Sequence, residues 1–299
     1  MEAVLHSLVD AAEGAPADGP CTPHCCAVSA GTRICHMNEP HTIAVVVAHP
    51  DDDAYGCAGS IAMHEHDPGF RFVLVLATDG AAGQISAGVP VTPGTLGAWR
   101  REESANAWRA HGTIPVRHEW LGYDDGRLAE VDFEELVQRV HTILLQERPQ
   151  VVATFGPDGI TGHRDHIAIG AATDEAFRRA REVPGPGLRR LVHGAIRASV
   201  FERWNTVRRR TGAVAWDPTL EYHLRPVPDE SIDIEVDTSK VSWRVVAGLL
   251  EHRSQRDVLM DPGVTVGRWQ RVVSREPSVM AWPGRAAGEP LLTDLFQGL

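Results

Sequence analysis

The sequence predicts an α/β protein built on a doubly wound, mostly parallel sheet, with a C-terminal β-rich elaboration. Three observations carry this. Apolar, β-branched runs such as Ile43 to Ala48 are too short for helices and read as strands buried on both faces. Each such run ends in a polar or glycine-containing turn and is followed by a helix-compatible segment. Four of these strand–helix alternations occur in chain order, the pattern of a parallel sheet with right-handed crossovers.

The first strand ends at His49, Asp51, Asp52 and Asp53, and a helix is expected within Ala54 to His64, with an acidic residue to cap it. Arg71 to Ala77 is the second strand, ending at Thr78, Asp79 and Gly80. Ala81 to Gly97 holds four glycines and two prolines and reads as a long loop, part of a substrate rim. Ala98 to His111 is a helix stopped by Gly112, and Val116 to Leu121 is the third strand, leading to Asp124 and Asp125. Asp132 caps a helix from Phe133 to Glu147, with Val137, Val140, Ile143 and Leu144 on its apolar face. The fourth strand, Gln150 to Phe155, precedes a turn containing His163, Arg164, Asp165 and His166, then a helix from Ile167 to Ala180. Beyond Gly185 the pattern weakens to a strand at Gly194 to Phe201, broken strands within Glu221 to Asp237, and a helix at Ser239 to His252.

The chain has 299 residues, 23% of them charged, and a net charge of −11, which disfavours nucleic acid as a partner. No apolar run approaches the length of a membrane span, and the start lacks a basic segment before its apolar patch, so a cytoplasmic protein is expected. Residues 1–40 read as an extension with a short helix at Ala3 to Ala12, and 41–299 as one catalytic domain whose part beyond about 200 shapes the pocket. Cys21, Cys25, Cys26 and Cys35, near His24 and His36, follow a spacing that matches no zinc-finger pattern and read as incidental thiols. Cys57 has no histidine base near it in sequence and reads as a poor nucleophile. The sequence leaves the oligomeric state open.

In open α/β sheets, ligands bind beyond the carboxyl ends of strands where the winding reverses. In the common strand order 3-2-1-4, the His49 turn faces the His166 loop. A lone histidine after a buried strand is most simply a packed side chain; His-Pro-Asp-Asp at one strand end with His-x-x-His at another reverses that reading. His49, Asp52 and His166 make a two-histidine, one-carboxylate set suited to a catalytic Zn²⁺, one per chain, and compatible with Fe²⁺. Asp51 is the carboxylate left over and suits a general base. His163, when protonated, suits an oxyanion or a leaving amine, with Asp165 to orient and charge it. Asp53 is expected to cap a helix. Asp79 and Asp125 either satisfy turn backbones or line the site. Arg100, Arg101, Glu102 and Glu103 read as a solvated helix face with an Arg100–Glu103 pair.

Ala48-His49-Pro50-Asp51-Asp52 resembles the first signature of the LmbE-like, or PIG-L, zinc-dependent de-N-acetylases, and His163-Arg164-Asp165-His166 resembles their second. Thr78-Asp79-Gly80, Arg100-x-x-Glu103, Leu121 to Gly126 and His252 to Gln255 extend the similarity over roughly residues 42–256; Asp53 stands where glutamate is commoner. The resemblance implies a Rossmann-like fold without a nucleotide, zinc on His49, Asp52 and His166, and Asp51 as base. It also implies His163 as oxyanion or acid residue with Asp165 as its partner, and Arg100 reaching the substrate.

The functional reading is a metal-dependent amidohydrolase that removes an N-acetyl or related N-acyl group from a small amino sugar or glycoconjugate. One rival keeps the enzyme and changes the amide to a thiol conjugate or a secondary-metabolite intermediate. The other is a non-catalytic binding module using Gly56-x-x-Gly59 to approach a phosphate, a motif that lacks the full dinucleotide fingerprint.

Overall fold

The computed structural model describes residues 41–260, 264–286 and 288–299. The extension expected over 1–40, with its short helix and four cysteines, lies outside the described residues. In chain order the elements are β1 (Thr42–Val47), α1 (Ala58–His64), β2 (Arg71–Thr78), α2 (Leu96–His111), β3 (Arg117–Tyr123), α3 (Phe133–Glu147), β4 (Val151–Phe155) and α4 (Arg164–Glu182). Then follow β5 (Arg190–Gly194), α5 (Ala198–Arg210), β6 (Ile234–Asp237), α6 (Ser242–Glu251), α7 (Arg256–Leu259), α8 (Val266–Val272) and β7 (Arg275–Trp282).

Seven strands form one sheet in the order β3-β2-β1-β4-β5-β7-β6. β1 is parallel to both β2 and β4, so the winding reverses between β1 and β4, and the carboxyl ends of these two strands open on one crevice. β7 runs antiparallel between β5 and β6 and closes the C-terminal side. Every residue of β1 and β4 is buried, the environment that the uninterrupted apolar runs require. Thr154 Oγ1 donates to the Val46 carbonyl at 2.8 Å and Thr78 Oγ1 to the Ala48 carbonyl at 3.2 Å, tying both neighbouring strands to the end of β1.

The strand expected at Gly194 to Phe201 is a helix from Ala198 onward. β5 stops at Gly194, and Asp229 receives the Ser199 backbone N–H at 2.9 Å, so a distant carboxylate stabilises the first turn of α5. Only Ile234–Asp237 of the stretch from Glu221 to Asp237 is a strand. The helix expected from Ala54 is shorter: Asp52–Ala54 make a 3-10 turn and α1 starts at Ala58. Asp53 does not cap it. Gly59 N and Ser60 N of α1 donate instead to the two oxygens of Glu276, on β7, at 2.6 and 2.9 Å. That carboxylate fills the anion position at the helix start and leaves no room for the phosphate that the Gly56-x-x-Gly59 reading needed.

The loop from Ala81 to Gly97 is tied down. Asp125 accepts from Ala82 N, the Ser254 carbonyl from Ser86 N, and Gln255 Nε2 donates to the Gln84 carbonyl, each at 2.8 Å. Arg100 and Glu103 are buried on α2 rather than on a solvated face. Glu103 accepts from Trp99 Nε1 and from the Ser254 backbone N–H and hydroxyl, so it anchors the segment after α6 instead of pairing with Arg100.

Two buried histidines between α2 and the α6 region give this packing a pH signature. Burial, then the Arg244 cation, lower His111 to about 4; burial, then Arg100, lower His252 to about 3. The folded chain therefore keeps both neutral where the unfolded chain, near 6.5, binds protons. Stability is full above about pH 6.5 and falls as pH drops through the interval towards 4. Urea unfolding at a series of pH values should show this fall, and His111→Gln should reduce its slope by about one proton, roughly 1.4 kcal/mol per pH unit. An unchanged slope in the variant contradicts the assignment.

Candidate active site

The crevice between β1 and β4 gathers the residues singled out after both strands. His49 Nδ1, His166 Nε2 and the Asp52 carboxylate converge. The two ring nitrogens lie 3.2 Å apart, Asp52 Oδ2 is 3.2 Å from His49 Nδ1, and Asp52 Oδ1 is 3.2 Å from His166 Nε2. Ligand atoms bound tetrahedrally at the usual Zn–N and Zn–O lengths stand about 3.4 Å apart, so the three donors already have the spacing of three corners of such a site.

The outer nitrogens decide what faces inward. His166 Nδ1 lies 3.0 Å from the Gly159 carbonyl, which can only accept, so this nitrogen carries the proton and Nε2 offers a lone pair. His49 Nε2 lies 2.9 Å from Asp125 Oδ1 and 3.5 Å from Asp165 Oδ2, at angles short of well-formed hydrogen bonds, and the two carboxylates favour a proton there as well. Two imidazole lone pairs and a carboxylate then point at one spot. A cation satisfies that arrangement; without one, a proton must. Burial alone would lower the pKa of His49, but Asp125, Asp165 and Asp52 outweigh it and raise it well above the ordinary value. Burial likewise opposes the ionised form of Asp52, yet His166 and His49 hold its pKa well below the carboxylate range. Carboxylates and a carbonyl on the outer nitrogens are the usual support of metal-binding histidines.

Local structure fixes each group. Gly159, in the left-handed region at φ 63°, turns the chain so closely over His166 that an added Cβ would lie 3.0 Å from the His166 Cβ. Phe155 stacks on the His166 ring at 4.1 Å and His163 lies on its other side at 4.7 Å. Asp51 has φ 107°, a strained conformation for a residue with a side chain, costing on the order of 1–3 kcal/mol. Its neighbours hold it there: Asp51 N donates to Asp53 Oδ1 at 3.0 Å, and Trp108 Nε1 donates to Asp53 Oδ2 at 2.5 Å. Asp53 is thus an internal brace.

Arg100 is committed to this turn. Its guanidinium donates to the Gly80 carbonyl at 2.9 Å, to the Pro50 carbonyl at 2.6 Å and to Asp51 Oδ2 at 2.8 Å. It does not reach outward as expected, because these three acceptors and its burial fix it behind Asp51. Burial raises Asp51 to about 7, with Arg100 pulling the other way and Asp52 adding to the rise. A carboxyl group poised there can exchange a proton near neutrality.

His163 is the first-turn cap of α4: its Nδ1 accepts from Asp165 N at 3.1 Å. In the neutral ring this leaves the hydrogen on Nε2. Burial, then His49 and His166, lower its pKa to about 4, so the structure offers a neutral donor where a protonated ring was expected. His163 also has a ring nitrogen within 4.8 Å of those of His49 and His166, so these three rings could hold a cation as well, while the Asp165 N–H on its Nδ1 favours a donor role for Nε2. The Asp165 side chain does not orient His163. It accepts from Gly126 N at 2.8 Å and Leu128 N at 3.0 Å, and faces His49, because its place in the first turn of α4 directs it at the loop after β3. Asp79 stands over Gly97 and 3.6 Å from Arg101 rather than among the converging donors, whereas Asp125 reaches His49. Cys57 is buried, and burial pushes its thiol well up, which removes it as a nucleophile.

Tyr222 was not anticipated. It sits at φ 64° with its ring edge-on to His163 at 5.2 Å, and its side is open to solvent. The only signal in the sequence is an aromatic residue in a polar, proline-interrupted stretch.

The fold and these residues define a doubly wound α/β protein whose crevice gathers histidines and aspartates able to hold a metal ion, with a carboxyl group beside them. A profile of the GlcNAc-PI de-N-acetylases, PIG-L, matches residues 44–177. The chain is 30% identical over 279 residues to a 1D-myo-inositol 2-acetamido-2-deoxy-alpha-D-glucopyranoside deacetylase of Saccharomonospora viridis, covering 85% of this chain and 99% of that protein. On this evidence the chain belongs to the PIG-L, or LmbE-like, family. Among solved structures, a conserved protein of Thermus thermophilus superposes with a TM-score of 0.53 at 23% identity, over 84% of this chain and 99% of that one. The N,N'-diacetylchitobiose deacetylase of Pyrococcus horikoshii does so with 0.51 at 20% identity, over 80% and 83%. Both share the fold. Among the described residues no helix is long and apolar enough to cross a membrane.

Arg100 acts on the site through Asp51, and this predicts a specific defect. Arg100→Met should leave the metal content unchanged and lower kcat by about 10²-fold. Removing the cation also removes what lowers the Asp51 pKa, so the acid limb of the rate profile should move to higher pH. A limb that stays in place would mean that Arg100 does not govern Asp51.

Proposed function

We propose that this chain is a zinc-dependent de-N-acetylase that hydrolyses the acetamide of an N-acetylglucosamine unit on a small glycoside, releasing acetate and the free amine. The observation that carries the reading is the convergence of His49 Nδ1, His166 Nε2 and the Asp52 carboxylate on one spot, beside a carboxyl group with a pKa of about 7. The donor set of two imidazoles and one carboxylate fits Zn²⁺, one per catalytic centre, and also fits Fe²⁺. A divalent ion held there supplies Lewis acidity, which acidifies water and polarises the scissile carbonyl.

The chain's own residues have the following roles in this reading. Asp51, as carboxylate, takes a proton from the attacking water and then holds it for the departing nitrogen, so the amine leaves neutral. Arg100 and Asp53 keep Asp51 in its strained turn. His163 presents Nε2–H to the oxygen that gains charge as the carbonyl carbon becomes tetrahedral. Asp125 and Asp165 hold His49, and the Gly159 carbonyl holds His166. Residues 41–299 are the catalytic domain and 1–40 an extension outside it. Tyr222 and Arg225 support a pocket-shaping role for the part beyond about 200: Tyr222 lies against His163, and Arg225 N donates to the Ile160 carbonyl at 2.7 Å.

An inositol-linked N-acetylglucosamine is the first substrate to offer, because the Saccharomonospora viridis relative, matched over nearly its whole length, is named for that glycoside. The zinc-loaded protein should release amine from it, and His163→Ala should lower kcat by about 10²-fold or more with metal content unchanged. If His163→Ala loses metal in step with activity, its place is among the ligands. Amine release from unrelated amides alone would move the substrate to the thiol-conjugate or secondary-metabolite class.

A further inference from the structure

At the opposite end of β1 from His49 lies a second group of metal-binding side chains, which the hydrolytic reading does not use. His41 directly precedes β1. His64 ends α1, Asp67 lies in the turn that follows, and Asp294 comes from the C-terminal segment. Ring nitrogens of His41 and His64 and a carboxylate oxygen of Asp67 lie within 4.8 Å of one another. His64 Nδ1 is 2.6 Å and His41 Nδ1 3.5 Å from the same oxygen, Asp67 Oδ2. His64 Nε2 is 2.7 Å from Asp294 Oδ2. Seven residues of mostly extended chain separate His41 from His49, roughly 20 Å or more, so the two groups cannot share an ion.

We propose that His41, His64 and Asp67 form a second, structural site for a borderline divalent cation of the Zn²⁺ type. Two imidazoles and one carboxylate are the donor chemistry, and partial exposure of all three leaves a position for water. Asp294 stands on the far nitrogen of His64, where a carboxylate fixes the ring and strengthens the donor facing the ion. The rings are already oriented. Phe296 stacks on His41 at 4.4 Å with a 10° interplanar angle, meets His64 edge-on at 4.9 Å, and donates its backbone N–H to Asp294 Oδ1 at 2.6 Å. In the metal-free chain the protonated His64 ring bridges the two carboxylates, donating Nδ1–H to Asp67 and Nε2–H to Asp294. Binding breaks that N–H bond at Nδ1, forms the nitrogen–cation bond and releases the proton to solvent. The ion would clamp the start of β1, the end of α1 and the C-terminal segment together. This inference does not depend on the catalytic reading.

The test is zinc titration by calorimetry of the full, metal-stripped chain in an Asp52→Ala background, which disables the catalytic centre, compared with the same background carrying Asp67→Asn or His41→Gln. The single-site background should lose one equivalent of bound zinc on either further change, and added zinc should raise its Tm but not that of the double variants. In the otherwise wild-type chain, Asp67→Asn should leave hydrolysis within about twofold while lowering zinc by one equivalent. Stoichiometry and Tm response unchanged by both Asp67→Asn and His41→Gln overturn the proposal, and so does loss of hydrolysis together with that equivalent.

Discussion

The structure depends on the meeting of lone pairs at the reversal point of the sheet. His49 Nδ1, His166 Nε2 and Asp52 stand 3.2 Å from one another, a spacing at which they repel unless a cation or proton lies between them. His49 and Asp52 lie in the turn that leaves the buried strand β1, and His166 in the first turn of α4, which follows the buried strand β4. Of the outer nitrogens, His166 Nδ1 meets the Gly159 carbonyl, and His49 Nε2 faces the carboxylates of Asp125 and Asp165. Donors gathered in this way would need little reorganisation to take up a cation.

Around it, three adjacent aspartates are separated chemically by their partners. Asp52 faces two imidazoles and is held ionised; Asp51 faces one arginine and is raised to about 7; Asp53 is buried against Trp108 and raised to about 6. Burial acts on all three, and the difference lies in the opposing charge each finds. This is how one short turn can offer a ligand, a proton acceptor and a structural brace. Arg100 matters because it reaches Asp51 through a gap that exists only where Gly80 lacks a side chain: a Cβ there would lie 2.1 Å from the guanidinium.

Much of this was legible in the sequence. The apolar runs at Ile43, Arg71 and Gln150 name the central strands because both faces of those strands are buried, and Asp132 marks α3 because its carboxylate caps Glu135 N. The convergence of the His49 and His166 turns follows from strand order. What was not legible depends on partners far away in sequence. Glu276 occupies the start of α1 across more than two hundred residues, and Arg100 and Glu103 read as solvated because their buried acceptors and donors lie on other elements. The direction of the Asp165 side chain depends on backbone N–H groups after β3, which no local pattern reveals. Tyr222 reaches His163 from an irregular segment that lacks periodicity.

The most direct test of the central claim is the position of the catalytic ion, read from anomalous scattering at the zinc edge in crystals of the zinc-loaded protein. The account predicts a peak within about 2.0–2.2 Å of His49 Nδ1, His166 Nε2 and an Asp52 oxygen. Neither Asp51 nor His163 should be bonded to it. A peak in this crevice bound by His163 or Asp51 in place of Asp52, or one held by His49, Asp125 and Asp165, would contradict it.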